Sequence, residues 1–384
     1  MRMEYPSYYE NFECIAAACT DSCCARWEID VDEESYYRYL TVQGDFGERI
    51  RGCLHTEETV GEDGYPEYEW SFPLTPDRRC PFLNDGDLCD MYTALGHDKL
   101  PRTCREFPRG DACMGSYHQV DVALACPEAN RLIFEDLERP IRYVEREEPT
   151  GIPALDRYCA PVPQTPEEEV LSKLSPEEAE LLEGLLAERD QLIDLLQDEA
   201  VPLAERYGTL FALAAEYGAD PSAESHEDLV ELIDRMELLD ERWSKVYDPV
   251  KRAMDTGFPC RFVLEELGAA GTAQGEPQAP GLTGETLVAD SGKAQTLQSA
   301  AAQSEQELTR FLVYLIFRYY IDGYFENSLT GVYRLLLRGF HMMRLLLAAL
   351  TPAAFCDPET RRDLYHVWSR EVEHSPENFG LIKS

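Results

Sequence analysis

The chain has 384 residues, 44% of them hydrophobic and 10% aromatic, enough to bury one large core or two to three ordinary ones. Its formal charge is −38. That argues against a nucleic-acid partner, because so acidic a surface repels phosphate backbones, and it suits a basic peptide, a lysine side chain or simple solubility. Thirteen cysteines, with Cys23 and Cys24 adjacent, argue against a fully paired disulfide scaffold. Met1-Arg-Met-Glu-Tyr-Pro6 has no apolar leader, so a cytoplasmic protein with reduced thiols is expected.

Residues 1–40 read as a cysteine-rich entry followed by the short acidic helix Asp32–Leu40, capped by Asp30 or Asp32. Residues 55–79 carry glycine, proline and aromatic residues and predict a hairpin or irregular loop around Tyr68-Glu-Trp-Ser-Phe72. Asn84-Asp-Gly-Asp87 is a turn signal that places Cys80 and Cys89 on the two arms of a small β-turn unit. Asp90–Leu100 reads as a short helix stopped by Pro101, and Val120–Leu137 as a helix opened or interrupted by Cys126-Pro127. A Pro-rich crossing follows at 149–166.

Ser175-Pro-Glu-Glu178 starts a helix: serine caps, proline takes the first turn and Glu178 completes a capping box. Leucines at helical spacing carry it to Asp198. Leu203–Tyr217 and His226–Tyr247 are two further helices, the second starting at Ser225 or Asp228. Residues 268–304 are Gly, Ala, Gln, Thr, Ser and Pro without an aromatic, the composition of a disordered insertion. Glu305–Phe325 and Leu329–Leu350 form an apolar helical hairpin. Arg318 and Asp322 break the first as a membrane span. Arg334, Arg338, His341 and Arg344 make a polar stripe on the second, expected to be solvated or salt-bridged.

Ten of the thirteen cysteines fall between Cys14 and Cys126, in the pattern C-x4-C-x3-C-C, then C-x8-C-x14-C, then Cys126 after 21 residues. Thiolates are soft ligands, and four suit zinc or an iron–sulfur cluster. The candidate ligands are Cys19, Cys23, Cys24, Cys80, Cys89 and Cys104, with Cys126 behind them. The isolated Cys53, Cys113, Cys159, Cys260 and Cys356 read as small buried hydrophobes. There is no C-x2-C pair, no C-x3-C-x2-C triad (Arg26 stands in the third place), no glycine-rich phosphate loop, no nucleophile elbow and no H-E-x-x-H. Arg102, Arg105 and Arg109 form a basic knot around Cys104. They could neutralise a thiolate centre or grip the carboxylate of a cofactor, against the ordinary alternative of local salt bridges. Trp27 and Tyr92 read as packing residues.

The combination Phe12-Glu-Cys14-Ile, Cys19-Thr-Asp-Ser-Cys23-Cys24-Ala-Arg-Trp27-Glu-Ile-Asp30, Cys80-Pro-Phe-Leu83, Leu88-Cys89 and Thr103-Cys104-Arg-Glu-Phe-Pro108 resembles the flagellin lysine-N-methylase family. Cys126-Pro-Glu-Ala129 and the aromatic run Tyr314–Tyr320 also fit, and the first half is similar to the wider group of zinc- or iron-chelating CxxxCC domains. The likeness covers 8–137 well and the C-terminal helices more loosely. It implies methyl transfer from S-adenosylmethionine to lysine amines of flagellin, with a [4Fe–4S] cluster, or alternatively zinc, held by the cysteines above. No catalytic residue is assigned. The residues alone support a mainly α protein: a cysteine-rich metal-binding region with short strands and turns, 1–148, packed on a multi-helix domain, 149–384. A non-catalytic metal-chelating protein and a cluster-based redox sensor stay open beside the enzyme.

Overall fold

In chain order the elements are β1 (Arg2–Pro6), β2 (Ile29–Asp30), α1 (Glu33–Thr41), α2 (Gly44–Cys53), β3 (His55–Val60), β4 (Pro66–Phe72), α3 (Asp90–Leu95), α4 (Arg102–Glu106), β5 (Arg109–Met114), β6 (Tyr117–Val122), α5 (Pro127–Ile133) and β7 (Tyr143–Arg146). The long helices follow: α6 (Pro176–Gln197), α7 (Leu203–Glu216), α8 (His226–Asp234), α9 (Glu241–Asp255), α10 (Ser291–Tyr319), α11 (Thr330–Ala348), α12 (Pro358–Val372) and α13 (Pro376–Lys383). The computed structural model describes residues 2–60, 65–115, 117–146, 174–220, 225–255 and 291–384. The expected Pro-rich crossing, residues 268–290 of the expected insertion, Cys159 and Cys260 lie outside the described residues. None of the described helices is long and apolar enough to cross a membrane.

Two compact units divide the chain. One comprises residues 1–11, 111–125 and 130–384, the other 12–110 and 126–129. The 1–148 stretch therefore contributes to both.

The first unit holds a four-stranded sheet in the order β5-β6-β1-β7. β1 runs parallel to β6, with Arg2 opposite Tyr117, and antiparallel to β7, with Tyr5 opposite Val144. β1 is buried from Met3 to Pro6, as befits an interior strand of its sheet. Helices supply the main core: α10 packs on α6 and α11, and α11 on α13. From Leu308 to Phe317 every residue of α10 is buried, and from Phe311 on the run is apolar apart from the Tyr314 hydroxyl. Two buried arginines are held by hydrogen bonds. Arg310 of α10 donates to the Ile133 carbonyl at 3.1 Å. Arg189 of α6 donates to Glu4 (2.6 Å), Tyr117 (2.9 Å) and Gln119 (2.7 Å), tying the sheet to the helices.

Local chemistry explains the helix starts. Ser175 and Glu178 exchange the reciprocal bonds of a capping box, and Ser225 and Asp228 do the same. Asp32 caps α1 by accepting from the Ser35 amide at 2.9 Å. Four expectations are corrected. Val120–Leu137 is not one helix: its alternating start belongs to β6, which Tyr117–Gln119 pair with β1, and helix begins only at Pro127. His226–Tyr247 breaks between Asp234 and Glu241, where the Glu371 carboxylate takes the Leu239 and Asp240 amides at 3.0 Å each. The low-complexity stretch turns helical at Ser291, since alanine and glutamine accept a helix once a core helix continues it. The Arg334–Arg344 stripe is not a solvated face. Arg338 is buried and donates to the Ile382 carbonyl at 2.6 Å, Arg334 donates to the Ser384 carbonyl, and Phe211 stacks on His341.

Glu305 on α10 shows how this burial couples to pH. Burial pushes its carboxyl up to about 7 against the opposing pull of Arg344. The folded state thus keeps a proton that the unfolded chain releases above about 4.5. The stability from that proton is full below the unfolded value and is lost as pH rises through about 7. Urea titrations at about pH 5 and about pH 8 should show a wild-type loss reduced by roughly 1–3 kcal/mol in Glu305→Gln. Parallel pH dependence in both proteins would refute this.

The second unit contains an antiparallel sheet in the order β2-β4-β3. The expected hairpin is β3–β4, in register from His55 opposite Ser71 to Val60 opposite Pro66. Its core gathers Ile29, Val31, Tyr39, Ile50, Phe72, Phe82, Met91 and Leu100, with Phe72 edge-on to Phe82 at 4.9 Å.

Candidate functional site

Backbone pairing, not helix geometry, assembles the thiols. The Cys80 amide donates to the Cys24 carbonyl at 2.7 Å, and the Arg26 amide to the Arg78 carbonyl at 2.9 Å, so the segments around 24 and 80 lie side by side. The Asn84–Asp87 turn closes as expected. The Asn84 amide donates to the Leu88 carbonyl at 3.0 Å, Leu83 bridges Cys89, and the Asp90 amide reaches the Phe82 carbonyl at 2.8 Å. Cys89 then caps α3, its sulfur facing the Tyr92 amide at 3.5 Å. Cys104 comes from α4. Cys24, Cys53, Cys80, Cys89 and Cys104 all join the core cluster of this unit.

The electrostatics show that these sulfurs sense one another. Burial, then the thiols of Cys24, Cys80 and Cys89, push Cys104 well above the ordinary thiol range. Burial pushes Cys80 up to about 12, with Cys24, Cys89 and Cys53 adding to it, and Cys89 moves in the same direction. Cys24 goes the other way. The Cys23 thiol hydrogen-bonds to it and brings it down to about 7 against burial, aided by Ser22 and the Arg79 guanidinium. Cys23 is correspondingly driven up. Cys24 is thus the sulfur poised to carry charge, while burial holds its neighbours Cys80, Cys89 and Cys104 towards the protonated thiol.

Cys126 stands apart from the Cys80–Cys104 set. It opens α5, is pushed up to about 11 by burial, and has Cys19 and Cys14 as its thiol neighbours. The Cys19 thiol donates to the Asp21 carbonyl at 3.2 Å. Among the seven candidate ligands, Cys23, Cys24, Cys80, Cys89 and Cys104 act on one another and Cys19 acts on Cys126, while Cys14 acts on both Cys23 and Cys126 and so links the two sets. All eleven described cysteines are free thiols. Among the described residues, no group of three or more His, Cys, Asp or Glu side chains stands arranged to hold a metal ion. The donor chemistry of the first group nevertheless fits a soft metal: one low-pKa sulfur and three more thiols in the same apolar core.

The three arginines have separate surroundings. Arg102 Nε pairs with Glu106 at 2.9 Å, while its amide donates to Asp32 at 2.7 Å. Arg105 donates to the Leu100 carbonyl at 3.2 Å. Arg109 lies over the Phe12 ring at 4.9 Å, its buried Nε without a hydrogen-bond partner. The cation acting on Cys24 is Arg79, which sequence reading passed over; only its place directly before Cys80 signalled it. Trp27 packs on Phe107 at 5.6 Å, whereas Tyr92 is more than half exposed. A thiol–imidazole contact was also missed: Cys113 Sγ lies 3.3 Å from His118 Nε2, brought across by the β5–β6 pairing.

The family model for the FliB lysine N-methylase C-terminal domain matches residues 189–383, just over half of the chain. The chain belongs to the FliB lysine N-methylase family. Among curated relatives it is 28% identical over 138 residues to the flagellar biosynthetic protein FliU of Salmonella muenchen, covering 34% of this chain and 76% of that protein. It is 28% identical over 138 residues to a lysine-N-methylase of Salmonella typhimurium and 29% identical over 133 residues to one of Salmonella choleraesuis. Each of these matches covers 34% of this chain and 32% of the relative, so the match spans about a third of either lysine-N-methylase. No solved structure matches. The family match covers α7 to α13 whole, with the Arg189–Gln197 end of α6, and so includes the buried helical core.

Proposed function

We propose that the protein transfers a methyl group from S-adenosylmethionine to lysine side chains of flagellin. Membership of the FliB lysine N-methylase family carries this reading. The relatives' names, lysine-N-methylase and flagellar biosynthetic protein, support lysine methylation and a flagellar connection, with which flagellin as substrate is consistent. The charge of −38 suits both reactants, because the methyl donor is a sulfonium and the acceptor an ammonium. Methyl transfer needs a neutral amine, so the protein must strip a proton from lysine and hold the amine in line with the methyl group.

Cys24, Cys80, Cys89 and Cys104 are the residues proposed to hold a [4Fe–4S] cluster, or zinc in its place, with Cys23 behind Cys24. A cluster held by only three of these four thiolates would leave one iron open, a position that could take the amino-acid end of S-adenosylmethionine, whereas all four would close it. Burial in the apolar core keeps the site dry, and Arg79 offsets the negative charge of the thiolates.

The assay is anaerobic purification followed by incubation with S-adenosylmethionine and flagellin, read by peptide mass spectrometry. Methylated lysines are the expected result, and unmodified flagellin from metal-replete protein would overturn the reading. Iron, sulfide and zinc are measured on the same preparation. Single Ala replacements of Cys24, Cys80, Cys89 or Cys104 should remove most of the bound metal and lower methylation by roughly 10–100-fold. Cys356→Ala should change neither. Metal retained in all four variants would strike these residues from the ligand set. Metal binding without methyl transfer would instead favour a chelating protein or a redox sensor.

A further inference from the structure

Two buried carboxylate oxygens lack any hydrogen-bond partner among the described residues, Asp121 Oδ2 and Glu373 Oε2. Both carboxylates face the same guanidinium. Arg318 Nη1 pairs with Asp121 Oδ1, and Arg318 Nε lies 3.5 Å from Glu373 Oε1. The coincidence is informative because other buried acids are saturated. Glu4 Oε2 takes Tyr117 and Arg189, and Glu307 uses both oxygens on Arg361. An unpaired acceptor in a dry interior is costly, so two on carboxylates that share one guanidinium call for a donor that none of the described residues provides.

The surroundings define that donor. Tyr314 and Tyr319 hydroxyls both donate to Glu373 Oε1, at 2.7 and 2.6 Å, which loads one oxygen and leaves the other facing elsewhere. The Arg318 guanidinium carbon lies 6.0 Å from the Tyr314 ring centre and 5.5 Å from that of Tyr319, so this corner already accommodates cations over aromatic faces. The side chains of Asp121 and Glu373 are 5% and 1% exposed, whereas Arg318 keeps 18% and Tyr319 is partly exposed, so the cluster borders solvent on the side of those two residues. Asp121 and Glu373 share Arg318 as an ion-pair partner. Burial and the nearby Arg318 and Arg370 hold the His374 imidazole beside them neutral, down to about 3.

We propose that Asp121 and Glu373, flanked by Tyr314 and Tyr319, form a binding site for a primary alkylammonium, the side chain of a substrate lysine. An ammonium brings N–H donors and a positive charge to the two orphan carboxylate oxygens, whereas a sulfonium has no N–H to give them. This inference rests on the proposed lysine methylation for the identity of the ammonium, but the site itself follows from the orphan oxygens.

The probe is n-butylammonium chloride, titrated into the full-length protein by calorimetry against sodium chloride at equal ionic strength. Saturable binding to the wild type is expected, weakened roughly 10–100-fold in Asp121→Asn and in Glu373→Gln, the loss expected for a charge-assisted hydrogen bond. No saturable binding, or equal binding in both variants, overturns the site. If a variant fails to fold by circular dichroism, the carboxyl carbon resonances of Asp121 and Glu373 in the wild type decide. They must move with n-butylammonium and stay with sodium chloride. Flagellin methylation is assayed in parallel. Probe binding without methyl transfer keeps the site and removes the methylation reading. Methyl transfer with a wild-type KM in both variants does the reverse.

Discussion

Trp368→Ala should lower the free energy of unfolding by about 3–5 kcal/mol, the range for emptying an indole site in a packed core. Trp368 on α12 is fully buried and meets Phe311 of α10 edge-on at 4.9 Å. The third wall is α11, which comes close because residue 339 is glycine. A Cβ there would stand 3.3 Å from Leu315 Cδ1, 3.4 Å from Trp368 Cζ2 and 3.5 Å from Phe311 Cε1. Three helices therefore meet on this ring, and none can slide into the void without dragging the others. The indole N–H is buried without a partner, so Trp368→Phe sheds an unsatisfied donor and should lose less than half as much. Urea unfolding at constant m-value measures both. Equal losses would show that the indole N–H carries no penalty.

The second large effect concerns Arg361 and Glu307, an ion pair with both side chains at 0% exposure. Arg361 Nε and Nη2 donate to the two Glu307 oxygens at 2.7 and 2.9 Å, and Nη1 donates to the Phe355 carbonyl at 2.6 Å. Removing either partner strands a charge in the core, so Arg361→Met or Glu307→Leu alone should cost about 3–5 kcal/mol. The double variant strands none and should recover most of that loss. The remainder is the Phe355 carbonyl, left without its donor. A double-mutant cycle by urea unfolding reads this directly. Additive losses would mean that the pair does not act as a unit.

What could be read in advance was local. Ser175 and Ser225 announced their helices because a capping box is written in four residues. Asn84–Asp87 announced its turn for the same reason, and the crowding of cysteines marked the thiol group. Long-range pairing was not legible. Residues 2–6 show no strand signal of their own; they become β1 because β6 and β7 arrive beside them. Val120–Leu124 carries an apolar pattern that helix and strand can share, and its start is drawn into β6, which Tyr117–Gln119 pair with β1. The break before Glu241 depends on Glu371, more than a hundred residues away. Within the candidate site the cysteines were visible, whereas their sorting into two linked sets needed the crossing of segments 24–26 and 78–80. Asp121 and Glu373 meet only through Arg318, and nothing near either residue in the chain foretells it.

The place of β1 in its sheet also sets a timetable for synthesis. Residues 2–6 are made well before their partners, because their contacts come from residues 113 and 141 positions later, as between Glu4 and Tyr117 and between Tyr5 and Arg146. At about 5–20 residues per second the ribosome takes roughly 7–30 s to deliver them. For that interval the nascent chain carries an apolar strand with both edges open, the form most apt to pair with a neighbouring chain. All of residues 12–110 emerge inside the same interval, so their thiols can gather before the strand closes. Slower elongation past residue 110 would prolong that exposure, and a chaperone waiting at the exit tunnel would shorten its consequences.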